Sequence, residues 1–386
     1  METAVKFDFD TPIERRGTAS VKWNKYGNRD IIPMWVADMD FTCAPAIVEA
    51  LLRRIDQAIF GYSEPPAGLV DATIAHLESE YDWKIDPDWI VWLPGLVVGL
   101  NVVCRACGRE GADVLTAVPI YPPFLSAPVN AARNAVRVPM IESNGIWRWD
   151  MAALERAITP SSRLLLLCNP HNPVGRVFSR DELQAIADVC VRHNLALCAD
   201  EIHSGLILDT DKRHIPVATL GEEIAMRTLT LMSASKTFNV PALGCAYAVA
   251  ANPALRNKLR KTMAGIVHHV GLMGYIATEV AYRDGKQWQI ALLEYLRGNR
   301  DLVEREISKM PGLHIWHAEA TYLSWIDTRG LRADDAVQFF NDAGVGLYDG
   351  ALFGAPGFLR LNFACPRPLL EKALARMSRA VHALHQ

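Results

Sequence analysis

Residues 228–239 read Thr-Leu-Thr-Leu-Met-Ser-Ala-Ser-Lys-Thr-Phe-Asn, and this stretch decides the fold. Its first part is apolar and β-branched, which predicts a buried strand over Thr228–Met232. The strand leads directly into a polar loop in which Lys236 stands between small hydroxyl residues. A lysine at a strand exit is unusual. Considered alone, it is also compatible with a solvated loop cation. The neighbouring segments must therefore distinguish a functional lysine from a solvated one.

Short apolar runs alternate with helical patterns around this stretch, between about residues 85 and 250. The predicted strands are Ile90–Leu93, Asp113–Val118, Ala135–Val138, Arg163–Cys168, Leu195–Ala199, Thr228–Met232 and Cys245–Ala250. One intervening helix has a clear start, because Ser179 and Glu182 have the spacing of a capping box. The alternation predicts an α/β fold with a mostly parallel seven-stranded sheet covered by helices.

Two further predicted strands end in polar residues. Cys168-Asn-Pro-His-Asn-Pro-Val-Gly175 carries Asn172 in a tight loop, and Ala199-Asp-Glu-Ile-His203 places Asp200 at the end of a hydrophobic run. Ligands of open parallel sheets bind outside the carboxyl ends of the strands. We therefore expect Asn172, Asp200 and Lys236 to share one crevice.

The pattern changes after residue 252. Two long helical stretches, about Ala254–Arg283 and Lys286–Lys309, precede strands at Thr321–Ile326 and Phe358–Phe363. This order is typical of a smaller α+β domain, to which the N-terminal segment is expected to return. The predicted domains are a large one over residues 50–285 and a small one over residues 1–49 and 286–386.

Composition narrows the class of protein. The 386 residues include 40 basic and 43 acidic side chains, for a net charge of -3, and half of the residues are hydrophobic. No basic stripe of the kind that binds nucleic acid is present. The first eight residues mix charged and apolar side chains, so we expect no signal peptide and a cytoplasmic protein. The most apolar window, Ile90–Cys104, is too short and too interrupted to span a membrane.

The cysteine and histidine patterns predict neither disulfides nor a metal site. The eight cysteines lie mostly in apolar stretches, as expected of small buried residues in a reducing compartment. Cys104 and Cys107 have the spacing of half a zinc ribbon, but no second pair follows and they fall on a predicted helix. His268-His269 and His314-x-x-His317 lack nearby ligands in a convincing pattern.

The strand-end motifs resemble those of the fold-type-I pyridoxal-phosphate enzymes of the aminotransferase class I/II superfamily. That family carries N-P-x-N-P-x-G, a strand-end D-E and S-x-S-K, all found here. More specific strings resemble the cystathionine beta-lyase, or carbon–sulfur lyase, group of the maltose-regulon-modulator type. These strings are Pro33–Phe41, Phe60-Gly-Tyr62, Glu319–Leu323 and Leu359–Phe363. The resemblance implies the PLP-dependent transferase fold, with pyridoxal 5'-phosphate (PLP) as cofactor.

The resemblance also assigns roles around the cofactor ring. It implies that Lys236 holds the aldehyde as a Schiff base and then removes the substrate α-proton. Asp200 would pair with the ring nitrogen, and the amide of Asn172 would contact the phenolic oxygen, the alternative for Asn172 being turn formation in an Asn-Pro pair. His203 either lies beside the same oxygen or merely packs against the loop. Tyr121 would stack on the ring, the alternative being a core tyrosine after a turn.

The resemblance places the cofactor phosphate at the start of a predicted helix. The candidate amide donors are Gly95, Leu96 and Val97, although Val98-Gly99 departs from the family's usual proline-alanine and weakens that choice. The candidate hydroxyl donors from the lysine loop are Ser233 and Ser235. Tyr62 matches a residue that reaches the phosphate of the partner subunit, which implies a homodimer with shared active sites.

Substrate contacts are implied for three residues. Arg360 would grip the α-carboxylate with its guanidinium fork and so fix which bond at Cα breaks, the alternative being a surface ion pair. Trp35 and Asn172 would line the substrate side, although packing alone also explains Trp35. Tyr322 and residues 348–356 are further candidates for contacts with the distal group of the substrate, but their chemistry names no ligand.

These roles support a carbon–sulfur β-lyase that cleaves cystathionine or a related cysteine S-conjugate to a thiol, pyruvate and ammonia. An aminotransferase would use the same lysine, aspartate, asparagine and arginine, and only the string resemblance favours the lyase. A regulatory protein that holds PLP as a structural ligand is a third interpretation, which the complete set of site residues disfavours.

Overall fold

The computed structural model describes residues 7–384. Residues 1–6, part of the segment from which the absence of a signal peptide was predicted, and residues 385–386 lie outside the described residues. The strands are β1 Ile32–Pro33, β2 Ile90–Leu93, β3 Asp113–Val118, β4 Asn134–Ser143, β5 Ile146–Trp149, β6 Ser162–Cys168, β7 Ala196–Asp200, β8 Thr228–Met232, β9 Ala246–Val249, β10 His314–Ile315, β11 Leu323–Asp327, β12 Val345–Gly346, β13 Tyr348–Asp349 and β14 Phe358–Asn362. The α-helices are α1 Val21–Asn24, α2 Pro45–Asp56, α3 Ala67–Tyr81, α4 Leu96–Ala106, α5 Pro123–Asn130, α6 Met151–Ala157, α7 Arg180–Arg192, α8 Glu222–Ala225, α9 Pro253–Met263, α10 Leu272–Asp284, α11 Lys286–Ile307, α12 Ala336–Asp342 and α13 Arg367–Leu384.

The largest sheet has the strand order β2-β9-β8-β7-β6-β3-β4-β5. Its four central pairings, from β4 to β8, are parallel, while β2, β5 and β9 pair antiparallel. The predicted α/β class and mostly parallel sheet are confirmed. The number of strands is wrong, because an eighth strand, β5, folds back on β4. Its hairpin turn is Asn144-Gly145, with both residues at positive φ, and the prediction missed this strong hairpin signal.

The middle of the sheet is built from continuous apolar runs. Nearly every residue of β6, β7 and β8 is buried, as expected for parallel strands covered on both faces. These three strands are neighbours and run in the same direction, so their carboxyl ends meet at one edge. The loops that follow Cys168, Asp200 and Met232 therefore open into a common space.

The helices begin and end where their capping residues stand. The capping box of α7 is confirmed, since Ser179 accepts from the Glu182 amide and the Glu182 side chain accepts from Ser179. The single long helix predicted for Ala254–Arg283 is wrong, because residues 264–271 separate α9 from α10. Gly265 adopts a φ of +75° inside this break, and Gly271 is the N-cap of α10.

A second, four-stranded antiparallel sheet has the order β10-β11-β14-β13. Arg360 stands opposite Trp325 on its inner strands. The N-terminal segment joins this region, because β1 pairs in parallel with β12. The Asn362 amide then donates to the carbonyls of Val36 and Asp38 at 2.6 and 2.7 Å. Residues 35–40 are thereby held between the two sheets, beside the strand ends.

In the part of the chain that the structure describes, no helix is both long and apolar enough to cross a membrane. Residues 7–384 also contain no cluster of three or more His, Cys, Asp or Glu side chains placed to hold a metal ion. Cys104 lies in α4 and Cys107 caps it, and all eight cysteines are unpaired.

Candidate active site

A cavity of about 280 Å³ lies at the carboxyl ends of β6, β7 and β8. We refer to it as the strand-end cavity. Its walls come from the loops after these strands, the start of α4, residues 36–37 and strands β13 and β14. The lining residues are Val36, Ala37, Gly95, Leu96, Val97, Val98, Leu100, Tyr121, Cys168, Asn172, Asp200, Ile202, His203, Ser235, Lys236, Pro241, Tyr348 and Arg360.

Lys236 projects into this cavity from the loop after β8. Its Nζ donates to the Ala37 carbonyl at 2.6 Å, and the same carbonyl accepts from the Tyr322 hydroxyl at 3.0 Å. Burial, together with the positive charge of Arg360, lowers the pKa of Lys236 to about 8. The interpretation as a solvated loop cation is therefore wrong. At pH 7 about a tenth of this amine is uncharged, and at pH 8 about half, and the uncharged form is able to act as a nucleophile or a base.

Asp200 ends β7 and is 5% exposed. Its carboxylate accepts a hydrogen bond from the Ile202 amide at 3.1 Å, and no Lys, Arg or His nitrogen of residues 7–384 lies within 4 Å. Burial raises the pKa of Asp200 to about 7. A buried carboxyl group without a cation is costly, so this position suits a ligand that brings a positive charge.

Arg360 is 1% exposed and lies at the opposite wall. Its Nη1 donates to Asn172 Oδ1 and its Nη2 to the Trp35 carbonyl, both at 2.9 Å, while Nε has no partner. No carboxylate of the described chain lies within 4 Å, so the alternative of a surface ion pair is wrong. The guanidinium lies 4.9 Å from the Tyr348 ring centre and 4.8 Å from that of Phe353. An unneutralised buried guanidinium is a natural anchor for a carboxylate.

Tyr121 and His203 complete the ring-sized part of the cavity. The His203 Nδ1 is buried without a hydrogen-bond partner, and the ring lies edge-on to Tyr322 at 6.2 Å. Burial and the charges of Lys236 and Arg360 lower the pKa of His203 to about 3, so this ring is neutral. Tyr121 lines the cavity as well, and burial raises the pKa of its hydroxyl. Neither residue is simply packed into the core.

The start of α4 forms the other end of the cavity. Gly95 is the N-cap, Leu96 and Val97 are the first two helical residues, and all three line the cavity. Backbone amides at the start of a helix have no acceptor within the helix and are available to an anion. A side chain added at Gly95 would meet no atom within 4 Å, so the space beside it is open. Ser235 joins the lining. Ser233 does not, because its hydroxyl donates to the Cys245 carbonyl at 2.7 Å and accepts from the Ser235 amide.

Two other predicted site residues lie outside the cavity lining. Trp35 is half-buried, and its backbone carbonyl, rather than its ring, contacts Arg360. Tyr62 is fully exposed and lies on a separate cavity of about 1040 Å³, together with Phe60 and His268. A single chain therefore does not bring Tyr62 to the strand-end cavity.

The prediction missed one contributor to the cavity, the Ala37 carbonyl, which accepts a hydrogen bond from Lys236 Nζ. A backbone acceptor leaves no signal in the sequence, because any residue could supply it. Tyr348 belongs to the segment 348–356 that was predicted as a contributor, and it lines the cavity beside Arg360. The pairing of β13 with β14 sets the direction of Tyr348.

The donors and acceptors in this cavity fit PLP. Asp200 lacks the cation that a protonated pyridine nitrogen supplies, and His203 and Asn172 offer polar contacts beside it. The amides at the start of α4 lie at one end, where a phosphate dianion would be bound by the helix terminus. Lys236 lies between these groups as the amine that an aldehyde requires.

Residues 29–377 match the family model described as aminotransferase class I and II. The chain belongs to this family, as the sequence motifs predicted. Among curated proteins it is 34% identical to cystathionine beta-lyase PatB of Bacillus subtilis (strain 168), over 97% of this chain and 100% of PatB.

Solved structures extend the likeness. The crystal structure of OvoB is 43% identical with a TM-score of 0.95, covering 97% of this chain and 99% of OvoB. Cystalysin from Treponema denticola, described as containing a pyridoxal 5'-phosphate cofactor, is 30% identical with a TM-score of 0.94, covering 98% of this chain and all of cystalysin.

Proposed function

We propose that this protein is a PLP-dependent carbon–sulfur β-lyase, which cleaves cystathionine or a related cysteine S-conjugate to a thiol, pyruvate and ammonia. The observation that carries the proposal is one cavity in which the Lys236 amine, the unpaired Asp200 carboxyl group and the unneutralised Arg360 guanidinium converge. PLP supplies an electron sink that makes the substrate α-proton acidic. The chain's own residues bind, orient and move that proton.

Lys236 is the proposed base. Its pKa of about 8 leaves part of the amine free to take the α-proton, and the Ala37 carbonyl gives the resulting ammonium a hydrogen-bond acceptor at 2.6 Å. Asp200, with its proton affinity raised by burial, stabilises positive charge across the cavity. His203 and Asn172 would hold the cofactor's ring oxygen by hydrogen bonds, and Tyr121 would pack against the ring.

Arg360 is the proposed anchor for the substrate α-carboxylate. Two of its nitrogens are fixed by Asn172 and Trp35, so the fork cannot rotate freely when a carboxylate arrives. A fixed carboxylate determines which bond at the α-carbon lies across the ring and therefore which bond breaks. Asn172 Oδ1 and the Trp35 carbonyl act in this scheme through the arginine that they hold, while the Nδ2 group of Asn172 is left for the cofactor's ring oxygen.

The elimination follows from the leaving group. Once Lys236 has taken the α-proton, a thiolate at the β-carbon departs more readily than the proton returns, because thiolates are good leaving groups. Aminotransferases of the same family return the proton to the cofactor carbon instead and use the same four side chains. The relatives named cystathionine beta-lyase support elimination over transfer for this chain.

Incubation with cystathionine, without any keto acid, tests the choice. The proposal expects pyruvate and free thiol in equal amounts, and the Lys236→Ala variant should form neither. Lys84→Ala, at an exposed lysine outside the cavity, is the matched control and should keep full activity. Turnover that requires a keto-acid acceptor would support the aminotransferase. A PLP-loaded protein that turns over no amino acid with a β-leaving group would support a regulatory role.

We further propose a homodimer in which Tyr62 of each chain completes the cavity of the other. Its exposure fits this role, and a row of exposed apolar side chains precedes it on α2 and the following loop. These residues are Val48, Leu52, Ile55, Ile59 and Phe60. An exposed apolar patch of this kind usually marks an interface. We propose that a second copy of the chain covers it, because this arrangement would bring Tyr62 of one chain to the cavity of the other.

Mixing two inactive variants tests the shared site. Lys236→Ala and Tyr62→Phe homodimers should each have little activity, whereas a mixture allowed to exchange subunits should regain activity through one intact site per heterodimer. No recovery after verified exchange would contradict the sharing, and a monomer by light scattering would contradict the dimer.

The eight unpaired cysteines support a reducing, cytoplasmic location.

A further inference from the structure

Two aromatic rings in contact, with a cation at each end, lead outward from the substrate side of the cavity. The Arg360 guanidinium lies 4.9 Å from the centre of the Tyr348 ring, and this ring meets Trp35 edge-on at 5.5 Å. The outer step is Lys25, whose Nζ lies 4.2 Å from the centre of the Trp35 ring. Tyr348 lines the cavity, so Lys25 is two rings away from the proposed α-carboxylate anchor.

Lys25 is a cation without a counter-charge. Within residues 7–384, no carboxylate lies within 4 Å of its ammonium group, which contacts only the rings of Trp35 and Tyr26. Partial burial against these rings lowers the pKa of Lys25, so a nearby anion would stabilise the charged form. Arg29, over the Tyr26 ring, also lacks a carboxylate in the described chain.

The support under Lys25 is fixed rather than mobile. Trp35 Nε1 donates to the Lys22 carbonyl at 3.1 Å, one turn before Lys25. The Lys22 ammonium pairs with Asp40 at 2.8 Å in a fully buried contact, and Trp23 donates to the same carboxylate at 2.8 Å. The Asp40 carboxylate is thus already paired with the buried Lys22 ammonium and is not available to Lys25 at the rim of the cavity.

We propose that Lys25 is a specificity-determining residue that binds a carboxylate at the distal end of the thioether substrate. This inference rests on the proposed β-lyase function and names the substrate class: cysteine S-conjugates whose sulfur substituent ends in a carboxylate. Arg360 holds the α-carboxylate at one end, and the substituent runs past Tyr348 and Trp35 to the ammonium at the other. The thiol released by the elimination then carries the distal carboxylate.

The test compares S-(3-carboxypropyl)-L-cysteine with its primary amide, which has the same shape but no charge. Pyruvate release gives kcat and KM for the native protein, Lys25→Gln and Lys25→Arg. The native protein should prefer the acid by about threefold to tenfold, mainly through KM, as expected for an ion pair near the surface. Lys25→Gln should remove the preference, whereas Lys25→Arg should keep it. Added salt should weaken the preference.

Lys258→Gln is the matched control, because Lys258 lies at the amino ends of β6 and β7, the opposite edge of the sheet. It should keep the preference for the acid. Equal kcat/KM for acid and amide in the native protein, or a preference that survives Lys25→Gln, would overturn the inference and leave the lyase standing. Pyruvate from cystathionine but from neither compound would likewise overturn the inference alone, whereas pyruvate from none of the three would overturn the proposed function and this inference with it.

Discussion

Replacing Asp200 by asparagine should make the cofactor-free protein more stable while it weakens cofactor binding. The pKa of Asp200 is about 7 in the folded chain, against about 3.9 in an unfolded one. Between these values the folded state binds more protons than the unfolded state, so the free energy of unfolding falls as pH rises. The difference of about three pH units corresponds to about 4 kcal/mol above pH 7. Asparagine keeps an oxygen for the Ile202 amide and carries no charge to bury.

Urea denaturation of cofactor-free wild type and Asp200→Asn, from about pH 4 to pH 8, measures this effect. The variant should gain up to about 4 kcal/mol over wild type at pH 8, and the gain should shrink towards zero near pH 4. Asp71→Asn, at an exposed position on α3, should show no such trend. Equilibrium binding of PLP to the same proteins should be weaker for Asp200→Asn. A stability difference that is the same at pH 5 and pH 8 would refute the reasoning.

Two other substitutions probe the same cavity. Lys236→Met should stabilise the cofactor-free protein below pH 8, because the folded pKa of about 8 lies below the unfolded value of about 10.4 and burying the ammonium costs about 3 kcal/mol. This gain should disappear as pH rises to about 10.5, and urea denaturation that shows a constant gain would contradict it. Arg360→Lys should lower kcat/KM by about tenfold or more, since a point charge replaces a fork. Unchanged steady-state kinetics would contradict the anchor role.

Most of the fold was predictable because its signals are local. Strands β6, β7 and β8 are apolar runs closed by polar residues, and α7 starts with a capping box. The errors were also local in origin. The Asn144-Gly145 hairpin was overlooked, and Gly265 was not recognised as the end of a helix. The domain boundaries at residues 49–50 and 285–286 remain a prediction.

The sequence predicted the part of the cavity that is formed by polar side chains at the ends of strands. Asn172, Asp200 and Lys236 lie together, as the parallel topology required. A contribution from a distant part of the chain was missed, because the Ala37 carbonyl reaches Lys236 across nearly 200 residues of sequence. Tyr348 was predicted only as part of the segment 348–356, since its direction depends on a strand pairing. Ser233 is outside the cavity lining, since its hydroxyl bonds to the backbone at Cys245 and Ser235, and its contact with the cofactor phosphate remains a prediction.

The most direct measurement is borohydride reduction of the PLP-loaded protein, followed by peptide mass spectrometry. Reduction makes a covalent link between PLP and a lysine permanent and thereby marks the residue. The account predicts a single modified peptide, with the mark on the side chain of residue 236, and no mark in the Lys236→Ala variant. A mark on another lysine, or unmodified protein after reduction, would contradict it.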